Sequence, residues 1–187
     1  MPRLTPLPPD QWPPEMRDAL AALHPPEPRH PFPPRDGRSK GLNVLGTLAR
    51  HPALARAFHT FNGHILFATT LSPRQRELIV LRVAHLRANA YEWAQHVSLA
   101  ADAGLSDDEV AWIREGPGAV GWGELDAALV KAVDDLIAAA RISDPTWATL
   151  IDHLDDQQLM DVVFTVGAYD ALAMALSSFG VEIDDDL

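Results

Sequence analysis

Apolar residues recur at spacings of three and four through most of this chain, between residues that begin and end helices. The run Leu54, Phe58 and Phe61 shows the period clearly, and this period is typical of one face of an amphipathic helix. Runs of β-branched residues with alternating polarity, which would indicate strands, are missing. The pattern therefore predicts an all-α fold.

Helix caps divide this pattern into elements. Ser72 and Ser106 are each followed three residues later by Gln or Glu, which is the signature of a capping box. Gly104 is a natural end for the helix before it. We expect helices over roughly 73–87 and 90–104 to form an antiparallel pair at the core. The same reasoning predicts further helices over roughly 13–23, 43–50, 52–68, 107–115, 124–141, 144–154 and 156–180.

Proline is concentrated at the N-terminus. The chain has 187 residues and 16 prolines, a length that suits one domain with a sizeable core. Proline favours extended and turn conformations. We therefore predict a Pro-rich arm over residues 1–41 and a single all-helical domain over 42–187. The arm holds Pro8-Pro9, Pro13-Pro14, Pro25-Pro26 and Pro33-Pro34.

Composition excludes several classes of function. The net charge is −11, with 15 basic and 26 acidic residues and no basic block, so neither nucleic acid nor an anionic membrane is an expected partner. An apolar signal-peptide core is missing, which favours the cytoplasm. Cysteine is absent, which excludes disulfides, thiolate metal sites and Cys-based redox chemistry.

The last predicted helix carries few charges between Val162 and Phe179. That is more apolar surface than one small domain easily covers. We therefore expect a homo-oligomer.

Three ionisable residues stand in this apolar helical sequence: Glu77, Glu92 and His96. Glu92 and His96 are spaced i, i+4 and share one helix face, where a carboxylate could orient the imidazole as a general acid or base. Two alternatives remain open from the residues alone. Glu77 could point to solvent in the first turn of its helix, and Glu92 with His96 could be a surface ion pair.

Neighbouring residues could shape a pocket for a substrate. Tyr91 and Trp93 flank Glu92, and His85 could reach the same pocket or be a structural histidine. Tyr169 is interpreted as a core or interface residue with its hydroxyl satisfied. The Glu-x-x-x-His pair occurs once, which is too few ligands for the usual metal sites. We expect no metal.

The segment Leu71 to Gly104 resembles the carboxymuconolactone decarboxylase and alkylhydroperoxidase D superfamily, with a looser similarity over residues 42–180. The resemblance implies that family's helical fold, no cofactor, and assembly as trimers or hexamers. The matching strings are Arg76-Glu77-Leu78, Tyr91-Glu92-Trp93-Ala-Gln-His96 and Ala-x-x-Ala-Gly-Leu-Ser.

The peroxidase branch of that superfamily uses a Cys-x-x-Cys dithiol. Its two cysteines would correspond to Asn89 and Glu92, and its early glutamate to Glu77. The thiols are thus replaced, so dithiol-dependent peroxide reduction is not expected, and the resemblance points to the decarboxylase-like branch.

Together these observations suggest a cofactor-independent, decarboxylase-like enzyme that acts on a small lactone or keto-acid by proton transfer. His96 would be the acid or base, oriented by Glu92, with Glu77 as a second proton-transfer group and with Tyr91, Trp93 and His85 binding the substrate. The alternative is a catalytically inactive, oligomeric small-molecule-binding protein of the same fold. Non-thiol peroxidase-type or metal-dependent activity ranks below both.

Overall fold

The computed structural model describes residues 1–32 and 39–186. Over these residues the protein is helical and contains no strand, which confirms the all-α prediction. The Pro33-Pro34 part of the predicted arm lies outside the described residues. The helices are α1 (Met16–Ala21), α2 (Leu42–Leu48), α3 (Pro52–Gly63), α4 (Pro73–Leu86), α5 (Ala90–Asp102), α6 (Asp107–Glu115), α7 (Glu124–Ala139), α8 (Asp144–Ile151) and α9 (Asp156–Phe179).

The chain forms two compact units, Met1–Thr69 with Met174–Leu187, and Thr70–Ala173. In the first unit, α1 packs against α3 around buried Met16, Ala19 and Ala55. The predicted boundary between residues 41 and 42 falls inside this unit and stays a prediction.

The second unit is built around α4, which packs against α5, α6 and α7. Every residue from Glu77 to Ala84 is buried, as expected of a helix that is apolar nearly all round. Buried Leu78 and Leu81 of α4 meet Ala100 of α5 and Ile113 of α6 in one core cluster. The predicted antiparallel helix pair, α4 and α5, is confirmed.

The sequence signals for the ends of this pair are confirmed as well. Ser72 and Gln75 form both hydrogen bonds of a capping box at the start of α4. The connection to α5 is only three residues long, and Ala88 adopts a left-handed φ of 49° there. Asn89 then caps α5 by accepting a hydrogen bond from Glu92 N at 2.9 Å. This short turn fixes the register of α5 against α4.

Helix α9 is long and apolar enough, by length and composition, to cross a membrane, and half of its apolar window is buried within the protein. Between Met160 and Ala171, the exposed side of the helix is apolar. Its exposed residues there are Met160, Val163, Phe164, Gly167 and Ala171.

Candidate active site

The two acidic candidates on α4 and α5 both lie inside the protein. Glu77 has no solvent exposure and Glu92 is 2% exposed, while His96 is 8% exposed. Acidic side chains are seldom buried unless they are paired or functional. The alternatives that placed Glu77 in solvent, or Glu92 and His96 in a surface ion pair, are therefore wrong.

A buried hydrogen-bonded chain joins three residues across the α4–α5 pair. His96 Nδ1 donates to Glu77 Oε2 at 2.7 Å, and Arg76 Nε donates to Glu77 Oε1 at 3.0 Å. Because the carboxylate engages Nδ1, it fixes the orientation of the ring. The other ring nitrogen, Nε2, is then the one available to a substrate.

The partner of His96 differs from the one that the sequence spacing predicts. Although Glu92 and His96 share a helix face, neither carboxyl oxygen of Glu92 forms a hydrogen bond to the ring. The antiparallel packing instead brings Glu77, near the start of α4, to the second half of α5. Glu77 therefore holds the imidazole, and the prediction that Glu92 orients it is wrong.

Glu92 is in an unusual environment for a carboxyl group. Both of its carboxyl oxygens are buried and have no hydrogen-bond partner among the described residues. Burial, together with the charge of Asp170, raises the pKa of Glu92 to about 8. Asp170 itself is paired with Arg87. At neutral pH the Glu92 side chain is thus a neutral carboxylic acid that can donate a proton.

Glu77 has the opposite protonation preference. Burial alone pushes the pKa of Glu77 up, but the charges and hydrogen bonds of His96 and Arg76 outweigh it and lower the pKa below its usual value. Glu77 is therefore a carboxylate at neutral pH, whereas Glu92 keeps its proton. Two carboxyl groups whose pKa values are pushed apart in this way are typical of sites that separate acid and base roles.

Tyr169 of α9 lies beside these groups. Its ring is 2% exposed and meets the His96 ring edge to face, with centroids 5.0 Å apart. Burial and the charges of Glu77 and Glu92 raise the pKa of the Tyr169 hydroxyl well above its usual value, against the lowering effect of Arg76. Tyr169 is thus in ring contact with His96, and the pKa of its hydroxyl responds to the charges of both carboxyls. The expectation that Glu92 also lies within about one water-bridged hydrogen bond of Glu77 and His96 stays a prediction.

The three residues predicted to bind substrate occupy different positions. Tyr91 is buried in the first turn of α5. Trp93 is half-buried against the core cluster that contains Leu78 and Ile113. His85 is exposed and lies edge-on to Trp93, with centroids 6.2 Å apart. His85 is at the C-terminal end of α4, whereas Glu77 is near the start of that helix.

Two residues that lie at this site, Arg76 and Tyr169, were not among the predicted site residues. Arg76 is adjacent to Glu77 in the chain, and this adjacency was the available signal. Tyr169 comes from a helix far along the sequence, and only the packing of α9 places it at His96. Among residues 1–32 and 39–186, no group of three or more His, Asp or Glu side chains is placed to hold a metal ion.

Comparison with known proteins agrees with this arrangement. Residues 52–135 match the sequence profile of the carboxymuconolactone decarboxylase family, and this segment contains Glu77, Glu92 and His96. The resemblance to this family is confirmed. No curated protein matches the chain with significant similarity.

Several solved structures share the fold at low sequence identity. A protein of unknown function from Agrobacterium tumefaciens, assigned to the AhpD type, is 21% identical with a TM-score of 0.68, and the match covers 73% of this chain and 94% of that one. An AhpD-core, peroxidase-related protein from Ralstonia eutropha JMP134 is 17% identical with a TM-score of 0.69, covering 87% and 95%.

The debrominase Bmp8, in complex with 2,3,4-tribromopyrrole, is 15% identical with a TM-score of 0.73, covering 98% of this chain and 92% of its own. At these identities the structures establish the shared fold alone. The family match supports an enzyme-like role at the family level.

Proposed function

We propose that this protein is a cofactor-independent, decarboxylase-like enzyme that acts on a small lactone or keto-acid by acid–base proton transfer. The observation that carries the proposal is the buried Glu92 carboxyl, which is protonated at neutral pH and whose oxygens have no partner among the described residues. A buried polar group without a partner costs free energy. In this proposal a bound substrate supplies the missing hydrogen-bond partner of Glu92, and the cost is retained because it keeps the proton donor ready.

The proposed roles follow from the two protonation states. Loss of CO₂ from a carboxylate β to a carbonyl leaves its electron pair on the substrate as an enolate. Glu92 transfers its proton to the carbanionic carbon and becomes a carboxylate, which then takes a proton from solvent. His96, held at Nδ1 by Glu77, has a lone pair on Nε2, which accepts a hydrogen bond from a donor group of the substrate and orients it for this proton transfer.

A screen of lactones and β-keto acids, read out as CO₂ release, tests the proposal. Glu92→Gln keeps the shape of the side chain but has no acidic proton, so turnover of any accepted substrate should fall by about 10²-fold or more. His96→Ala should cause a loss of similar size. The exposed Glu115→Gln is the matched control and should keep wild-type activity. Native turnover by Glu92→Gln would show that Glu92 is not the acid.

The dependence of the rate on pH is a second test. Because Glu92 acts as an acid only while protonated, the rate should fall as the pH rises through about 8. Glu92→Gln should lose this limb of the profile and keep only its residual rate. If the screen finds compounds that bind saturably but are never turned over, the alternative of an inactive small-molecule-binding protein is favoured instead.

A further inference from the structure

Arg114 differs from the other basic residues of the second unit. Within residues 70–173, all of which the structure describes, each other lysine or arginine forms an ion pair with a carboxylate, whereas Arg114 forms none. Its guanidinium instead lies over the Trp93 ring, 4.3 Å from the centroid. Stacking uses the face of the guanidinium and leaves its N–H donors at the edge for a ligand.

Arg114 lines an open cleft of about 420 Å³ beside the start of α5. His85, Asn89 and Trp93 line the same cleft. The Trp93 indole supplies a flat apolar wall, His85 supplies a ring nitrogen, and the first turn of α5 contributes the partial positive charge of a helix N-terminus. The volume suits a small molecule of one ring.

We propose that this cleft binds a small, planar organic carboxylate, with the Arg114 guanidinium holding the carboxylate and Trp93 flanking the ring. Guanidinium and carboxylate match as a bidentate pair. A conjugated or aromatic ring beside the carboxylate gains contact with the indole. This site is separate in its residues from Glu77, Glu92 and His96, and its occupancy does not depend on the proposed reaction.

The local charge favours an anion despite the net charge of −11. Burial lowers the pKa of His85, and the positive charges of Arg82 and Arg114 lower it further. The charge of Asp134 has the opposite effect on that pKa, but Arg82 binds the Asp134 carboxylate through two hydrogen bonds, from Nε at 2.6 Å and from a terminal nitrogen at 2.9 Å. Arg114 is therefore the uncompensated charge of the cleft.

Titration calorimetry with benzoate tests the site. The wild-type protein should bind benzoate with a Kd on the order of 1 mM, as expected for a ligand of this size, and Arg114→Gln should weaken binding by about 10-fold or more. Arg141→Gln is the matched control, since Arg141 is exposed and paired with Asp144. It should bind as the wild type does. Benzamide, which has the same ring without the charge, should bind at least 10-fold more weakly than benzoate.

Three results would overturn the site: no saturable binding of benzoate by the wild type, equal binding by Arg114→Gln, or equal affinity for benzamide. Melting curves of each variant separate loss of the ligand site from loss of the fold. The Glu92→Gln and His96→Ala variants should still bind benzoate. Their binding therefore distinguishes failure of this site from failure of the proton-transfer proposal.

Discussion

At the scale of single residues, two buried carboxyls of one hairpin differ in their electrostatic partners. Glu77 accepts hydrogen bonds from His96 and Arg76. The pKa of Glu92, in contrast, is raised by burial and by the like charge of Asp170. The same side-chain chemistry therefore gives a carboxylate at one position and a carboxylic acid at the other.

Glu92 should make the stability of the protein fall with rising pH. Its pKa is about 8 in the folded protein and ordinary in the unfolded chain, so its contribution is fully present below about pH 4.5 and is lost as the pH rises toward 8. We expect Glu92→Gln to gain on the order of 3 kcal/mol relative to wild type between pH 5 and pH 8. Urea unfolding at both pH values measures this gain, with Glu115→Gln as control. An unchanged difference would mean that the carboxyl is already ionised in the folded state.

His96 and Glu77 should be energetically coupled. His96→Ala leaves a Glu77 oxygen buried without its donor, which we expect to cost about 1–3 kcal/mol of unfolding free energy. Replacing Glu77 by Leu in that background should cost less than Glu77→Leu alone in the wild type, because the pair has already been lost. Chemical denaturation of the two single variants and the double variant measures the coupling. Strictly additive losses would show that the 2.7 Å contact contributes nothing.

The residues of the site were predicted to different degrees for physical reasons. Glu77, Glu92 and His96 could be found because ionisable residues are conspicuous in apolar helical sequence. The pairing of His96 with Glu77 could not be predicted, because it depends on the register between two helices. Arg114 stacks on Trp93 from a separate helix, and nothing in its local sequence distinguishes it from a surface arginine.

At the scale of elements, Arg82 of α4 forms hydrogen bonds to two neighbouring helices, α6 and α7. It is 6% exposed and binds both carboxylate oxygens of Asp134 on α7. It also donates to Ile113 O at 2.7 Å and Arg114 O at 3.2 Å, at the C-terminal end of α6. These carbonyls have no partner within their own helix, so one guanidinium satisfies groups on two elements.

Arg82→Met should therefore be strongly destabilising. We expect a loss of about 2–4 kcal/mol in unfolding free energy, somewhat below that for a fully buried pair because Asp134 is partly exposed. Arg141→Met breaks an exposed ion pair within one segment and should change stability by less than about 1 kcal/mol. Thermal melts of both variants provide the comparison. Similar melting temperatures for the two would show that the buried network is not needed.

Secondary structure was the most predictable level of this protein. The capping boxes at Ser72 and Ser106 form as their sequences indicate, because a cap is decided by residues three positions apart. Helix ends without such a cap were less predictable. Helix α7 ends at Ala139 because Ala140 has a left-handed backbone conformation. Nothing in the sequence indicates this conformation, since alanine has only a small apolar side chain.

At the scale of the whole molecule, the exposed apolar side of α9 remains to be explained. Met160 is 61% exposed, Phe164 52% and Val163 38%, and Gly167 and Ala171 continue the same side at helical spacing. Apolar residues that recur every three or four positions, without a polar residue among them, are typical of a packed helix face. A contiguous apolar surface of this kind marks an interaction site.

We therefore expect this face to be covered by a second copy of the chain, with a homo-oligomer as the result. Light scattering coupled to gel filtration should give a mass that is a multiple of 20.4 kDa at micromolar concentration. Met160→Glu with Val163→Glu places two like charges in the apolar face and should return the mass of a monomer, because burying unpaired charges costs several kcal/mol. Gln157→Glu adds a charge at an exposed polar position of the same helix and should leave the assembly intact. A wild-type monomer would show that the apolar side of α9 is not an interface between copies.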